Sequence, residues 1–217
     1  MTGGGSLANR QRPDVSEAGS RLIGSRRTRR HTRSPDGRQP AGDYPPRMHV
    51  SSIVAHLERT PAALAALVAG LSDADWRWRP AAGAWSILEV VNHLADEETL
   101  DFRPRVASLL EDPARAWPPI DPAGDVVRKR FQDRDPAESL GRFRDERTQS
   151  LAWLRTLTPT AAAWNNARPH RLGDDLHAGD LFASWAAHDA RHLAQVARVL
   201  HGLAARDGAP WSVQYAG

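Results

Sequence analysis

The sequence predicts an all-α protein: a four-helix bundle with long crossover connections, preceded by a disordered N-terminal tail. Three observations lead there. After Met48, apolar residues recur at the 3.6-residue period, with no convincing strand pattern between them. Four such segments are separated by Pro- and Gly-rich stretches, as the helices of a bundle would be. All eight Trp lie after residue 48, whereas residues 1–47 are rich in Arg, Gly, Pro and Ser and poor in aliphatics.

Residues 1–47 cannot bury enough apolar surface to offset their chain entropy. They hold ten Arg and four Asp or Glu. The whole chain has 29 basic and 26 acidic residues, so residues 48–217 are left with a net charge of −3. The run "RRTRRH" has three readings: a contact for nucleic acid or an acidic membrane, a solvated tail, or the remnant of a start mis-called upstream of Met48. The readings that give it no role are preferred, and the acidic balance of residues 48–217 argues against nucleic acid as a partner of the bundle itself. The chain has no Cys, which excludes disulfides, thiolate metal sites and Cys nucleophiles. No apolar run approaches membrane-spanning length, and "MTGGGSLANRQRPDVSEAGS" lacks the apolar region of a secretory signal. A cytoplasmic protein without membrane contact is the expectation.

The first helix carries Ile53, Leu57, Leu64, Leu67, Val68 and Leu71. Thr60 followed by Pro61 looks like an N-cap and first helical residue, so this helix either kinks or starts there. Gly70 and "SDAD" stop it. Pro80 and Gly83 form a loop, and Ser86 to Glu89 has the S-x-x-E form of a capping box, so the second helix begins at Ser86. Its stripe is Ile87, Val90, Val91 and Leu94, with His93 at the border and Glu97 one turn further along. Pro104 kinks or ends it. Residues 111–135 read as a long connection with one short turn, a length often tied to function. Asp135 and Pro136 open the third helix, which carries Leu140, Phe143, Leu151, Leu154 and Leu157. Thr158 and Pro159 close it. Residues 159–179, with His170 and His177, form a second long loop. The fourth helix runs from about Asp180 to about Leu203.

The fourth helix contains the pattern that points to chemistry. Leu181, Trp185, Val196 and Val199 define its inward stripe, and His188 and His192 fall within that stripe, about 40° apart on the helical wheel. A single inward His is more often a hydrogen-bonded core residue than a ligand. Two at i, i+4 each leave a ring nitrogen to satisfy in apolar surroundings, and one metal ion would satisfy both. Spacing alone leaves both readings open. The stretch is not the H-E-x-x-H pattern, since Asp189 follows His188 and no Glu lies between the histidines. A third ligand must come from a facing helix, and His93 is the candidate.

The stretches "WRWRPAAGAWSILEVVNHLADEE" and "LHAGDLFASWAAHDARHLAQVARVL", with the trailing "RDGAPW", resemble the DinB superfamily over roughly residues 50–213. The resemblance implies a four-helix bundle and one divalent metal ion, commonly zinc or nickel, held by His93, His188 and His192. It also implies a small-molecule substrate and a low-molecular-weight thiol, because characterised relatives include thiol S-transferases and a thiol-dependent isomerase. One departure is Pro169 before His170, where relatives often show His-Pro, which puts a role for His170 in doubt.

Three neutral imidazoles leave a tetrahedral metal with one open position, a catalytic rather than a structural layout. That position suits water or a thiol held as thiolate. With no Cys in the chain, any thiol must be a cosubstrate. The expected function is a metal-dependent transferase or isomerase using a small thiol, and the alternative is a metal- or ligand-binding stress protein without turnover. Glu97 is expected to be an exposed acid rather than a base. Asp189 is either a partner of a histidine or a surface acid paired with a neighbouring Arg. Trp76, Trp78, Trp85 and Trp185 offer either an aromatic wall around the pocket or core packing; core packing is preferred for Trp85 and Trp153, and Trp185 suits both. A homodimer is left open.

Overall fold

The computed structural model describes residues 48–170 and 174–216, and the expected tail over residues 1–47 lies outside them. Arg47–Gly217 forms one compact unit. Its four long helical rods are α1 (Val50–Val68), α3 (Ile87–Glu97) continued by α4 (Arg103–Glu111), α6 (Pro136–Thr156) and α7 (Ala178–Asp207). Short helices α2 (Asp73–Arg77) and α5 (Pro122–Arg128) lie in the connections. α1 packs on α6 and α7, and α3 packs on the same two helices, so α1 lies diagonal to α3 and α6 lies diagonal to α7. The chain is therefore a four-helix bundle, as expected.

Local chemistry explains where the expected boundaries hold and where they shift. Ser86 caps α3 as predicted: its side chain accepts from the Glu89 amide, and the Glu89 carboxylate accepts from the Ser86 amide. "SDAD" does more than stop α1. Ser72 and Asp75 form a second capping box that starts α2, because Asp at the third position can take the role of Glu.

α1 neither starts nor breaks at Pro61. A proline inside a helix removes the donor to the carbonyl four residues earlier, here that of Leu57. That carbonyl is taken by the buried Arg147 on α6, whose Nη1–H donates to Leu57 O at 2.8 Å. A tertiary contact thus satisfies what the proline leaves open. Pro104 does not end its helix either. A π-turn over Glu98–Phe102 shifts the backbone hydrogen bonding just before it, so Pro104 falls in the first turn of α4, where its missing N–H is tolerated.

Two further corrections concern the connections. The 111–135 segment carries α5 and a 3₁₀ turn (Phe131–Asp133), with Val126 and Phe131 buried. The second long loop carries a two-stranded antiparallel hairpin, β1 (Ala167–Pro169) and β2 (Asp175–His177). Strands of three residues are too short to show alternation in sequence.

All eleven residues of α3 are buried, including its polar ones. α3 is covered by α6, α7 and the 111–135 connection, and each polar side chain meets a partner. Glu89 pairs with Arg79, and Asp96 with Lys129 and Arg142. Asn92 donates to Ser139 Oγ at 2.9 Å and accepts from Arg134 at 3.1 Å. The apolar core lies around Leu88, Leu94, Phe143 and Val196 on one side and around Leu57, Val106, Phe182 and Trp185 on the other.

Candidate metal centre

α3 and α7 are in contact, and they bring His93, His188 and His192 together. His93 Nε2 lies 3.2 Å from His188 Nε2, and His192 Nε2 lies 3.1 Å from the same atom. Nitrogens about 2.05 Å from one tetrahedral centre would stand about 3.3 Å apart, so both separations from His188 fit a zinc-like ion, and all three ring nitrogens lie within 4.8 Å of one another. Among the described residues, no Asp, Glu or further His joins this cluster. His170 and His177 stay out of it, and His177 instead caps α7 through Asp180.

The ring nitrogens facing away are handled differently on each histidine. His192 Nδ1 lies 2.8 Å from Gln195 Oε1, and an N–H donated there leaves Nε2 as the free lone pair. His93 Nδ1 lies 3.4 Å from Glu97 Oε1. His188 Nδ1 is buried without a hydrogen-bond partner.

Burial keeps the imidazoles neutral, the form a metal ligand needs. Desolvation, reinforced by the charge of His192, lowers His93 to about 3. Desolvation and the two other histidines lower His188 to about 2. His192 is lowered as well, first by desolvation. Glu97 moves the other way: burial, then the charge of Asp101 and a hydrogen bond with it, raises it to about 9. The Glu97–His93 approach is therefore a contact between neutral groups until a cation arrives beside it. The expectation that Glu97 is an exposed acid was wrong, since the connection and α4 bury it.

Asp189 also departs from expectation. It is 2% exposed and does not touch a metal-facing imidazole. It forms a paired contact with Arg147, at 2.6 and 3.0 Å, and the same guanidinium reaches Glu98 Oε1 at 2.6 Å. Trp185 Nε1–H donates to that Glu98 oxygen at 3.0 Å. This buried ionic cluster ties α1, α6 and the π-turn to the residue next to His188.

Trp85 is half-buried and packs against the core, as expected, and it also walls the site: its ring meets His93 edge-on at 5.0 Å and stacks over His192 at 6.3 Å. Phe102 lies 5.1 Å from His188 and stacks on the fully buried Trp185. Trp153 packs with the core as expected. A recess of about 20 Å³ against His93 and Glu97 is closed by Leu100, Ile120, Pro122 and Phe131, so the long connection covers this flank. The larger cavity, about 580 Å³, lies between α1 and α6 and touches none of the three histidines.

The bundle and its inward histidine triad define a class of metal-site four-helix proteins. Residues 56–196 match the DinB superfamily model, and the chain belongs to that superfamily. Among curated proteins, YfiT of Bacillus subtilis (strain 168), named as a metal-dependent hydrolase by assignment rather than by demonstrated activity, is 31% identical over 124 residues. That match covers 55% of this chain and 69% of YfiT. The solved YfiT structure, described as a probable metal-dependent hydrolase with an unusual four-helix bundle topology, superposes with a TM-score of 0.63 at 24% identity, over 80% of this chain and 97% of that one. Among the described residues no helix is long and apolar enough to cross a membrane.

Sequence reasoning missed Gln195 and the Arg147 cluster. Gln195 was readable, because it sits three residues after His192 on the same helix face. Arg147 was also readable: it falls where the stripe of Phe143, Leu151 and Leu154 calls for an apolar residue.

Proposed function

We propose that the protein is a metal-dependent enzyme in which His93, His188 and His192 hold one divalent ion, zinc or nickel, and a small thiol from solution is transferred to an electrophilic small molecule. The observation that carries this reading is His188 Nε2 standing 3.2 Å from His93 Nε2 and 3.1 Å from His192 Nε2, three neutral imidazoles with no fourth protein ligand among the described residues. Such an ion supplies Lewis acidity and stabilises a deprotonated nucleophile at neutral pH. The chain contributes the rest. Gln195 and Glu97 orient two imidazoles from behind. Glu97, raised to about 9, is a buried carboxyl that can hold or release a proton beside the site. Trp85 and Phe102 wall the histidines and keep bulk water away. The chain has no Cys, so the thiol must come from outside.

A second reading, hydrolysis with water as the nucleophile, is favoured by the name given to the related YfiT. Both readings use the same residues. The test is turnover of an electrophile panel (activated esters, epoxides, haloalkanes) by zinc- and nickel-loaded protein, with and without a small thiol. Turnover that needs the thiol supports S-transfer, and turnover without it supports hydrolysis. Full metal loading with neither would leave a binding protein and overturn the enzymatic reading.

A further inference from the structure

The charged residues around the bundle are nearly all engaged. Lys129 pairs with Asp96, and Arg77, Arg79, Arg142 and Arg206 each meet a carboxylate. Arg134 and Arg168 have hydrogen-bond acceptors and aromatic rings. Among the described residues, Arg191 and Arg198 are the arginines with no hydrogen-bond, ion-pair or aromatic partner, and both are exposed.

Their position on α7 is not arbitrary. Arg191 follows His188 by three residues, and Arg198 follows Gln195 by three, so each guanidinium stands one turn beyond a group of the histidine site. At 100° per residue, both fall about 60–80° to the solvent side of His188, on one face and two turns (about 10.5 Å) apart. The opposite flank is the recess that the long connection closes, where Leu100 and Ile120 stand among Asp96, Glu97 and Asp125. The α7 side of the centre is therefore cationic, and the other side is closed by apolar and acidic residues.

We infer that Arg191 and Arg198 form the recognition element for an anionic group, a carboxylate or its equivalent, on the small molecule that enters the histidine centre. A guanidinium presents a planar fork of donors suited to a carboxylate, and one without an internal partner keeps that fork available. The inference rests on the metal reading above and specifies its substrate class: a small molecule with an anionic end.

The test uses two metal-binding probes that differ in charge, succinic monohydroxamate (anionic) and butanohydroxamate (neutral). Both are titrated calorimetrically into zinc-loaded protein. The wild type should bind the anionic probe about five- to tenfold more tightly, the scale expected of two exposed charge contacts. The preference should shrink as salt rises from about 20 to about 500 mM. R191A/R198A should keep its zinc, keep its affinity for butanohydroxamate and lose the preference. R115A/R155A removes the same net charge elsewhere and should keep it. Equal affinities in the wild type, or an unchanged preference in R191A/R198A, would overturn the inference and leave the metal site standing. Failure to take up zinc or bind either probe would instead overturn the metal reading, and the inference with it.

Discussion

Replacing Arg147 by Met removes the cation from the buried cluster while keeping most of its apolar stem. Two carboxylates then lose their partner. Asp189 loses contacts at 2.6 and 3.0 Å, Glu98 loses one at 2.6 Å, and the Leu57 carbonyl loses the donor that replaces the one missing at Pro61. Arg147 and Glu98 are each 1% exposed, so water cannot substitute. Breaking a buried ion pair from one side costs about 3–5 kcal/mol. An orphaned buried carbonyl adds about 1 kcal/mol. A loss of roughly 4–6 kcal/mol at about 2–4 °C per kcal/mol lowers Tm by about 10 °C or more. The deficit should depend on pH. Burial already raises Asp189 even with Arg147 beside it, and without Arg147 the folded-state value rises further above the unfolded one. A group raised in this way loses its stabilising contribution as pH rises, so R147M should be hurt more at pH 8 than at pH 4. D189N in the same background should recover part of the loss. Thermal and urea melts at both pH values read these effects. An R147M variant that melts within about 3 °C of wild type would refute the reasoning.

Three further outcomes follow from the same coordinates. In metal-free protein, His93 and His188 lie at about 3 and about 2, against about 6.5 when unfolded, so between pH 4 and 6 only the unfolded chain holds these protons and stability rises with pH. H188Q should flatten that rise by about 1.4 kcal/mol per pH unit in urea melts, and an unchanged slope would show that His188 is not held neutral. Zinc uptake at pH 6 should release close to one proton, from Glu97 and not from the histidines. Calorimetry in buffers of different ionisation enthalpy should find that release in wild type and not in E97Q, and equal release in both would remove Glu97 from the site. G202A places a Cβ 2.8 and 2.9 Å from ring carbons of Trp78, and the resulting overpacking of about 1–3 kcal/mol should outweigh the helix gain of about 0.5–1 kcal/mol. A higher melting temperature for G202A would contradict that packing.

The parts legible in the sequence are those set by local chemistry. The Ser86–Glu89 box fixed the start of α3, and the i, i+4 spacing of His188 and His192 put both rings on one face before any partner was known. Pairing them with His93 needed only the judgement that two inward stripes face each other. What stayed hidden depends on distant residues. Pro61 reads as a helix boundary until Arg147, 86 positions later, supplies a donor to Leu57 O. Glu97 reads as an exposed acid because ordinary amphipathic helices expose such residues, and only the 111–135 connection and α4 make that position interior. The hairpin at residues 167–177 was missed because its pairing is too short to imprint a period.

The central claim is that three histidines from two helices hold one divalent ion. Elemental analysis of purified full-length protein, wild type and H188A, after loading at neutral pH and removal of excess metal, tests it most directly. The expected result is one zinc or nickel per wild-type chain and none in H188A, with circular dichroism showing the helices of H188A intact. Wild-type protein without bound metal, or H188A with a full equivalent, would contradict it.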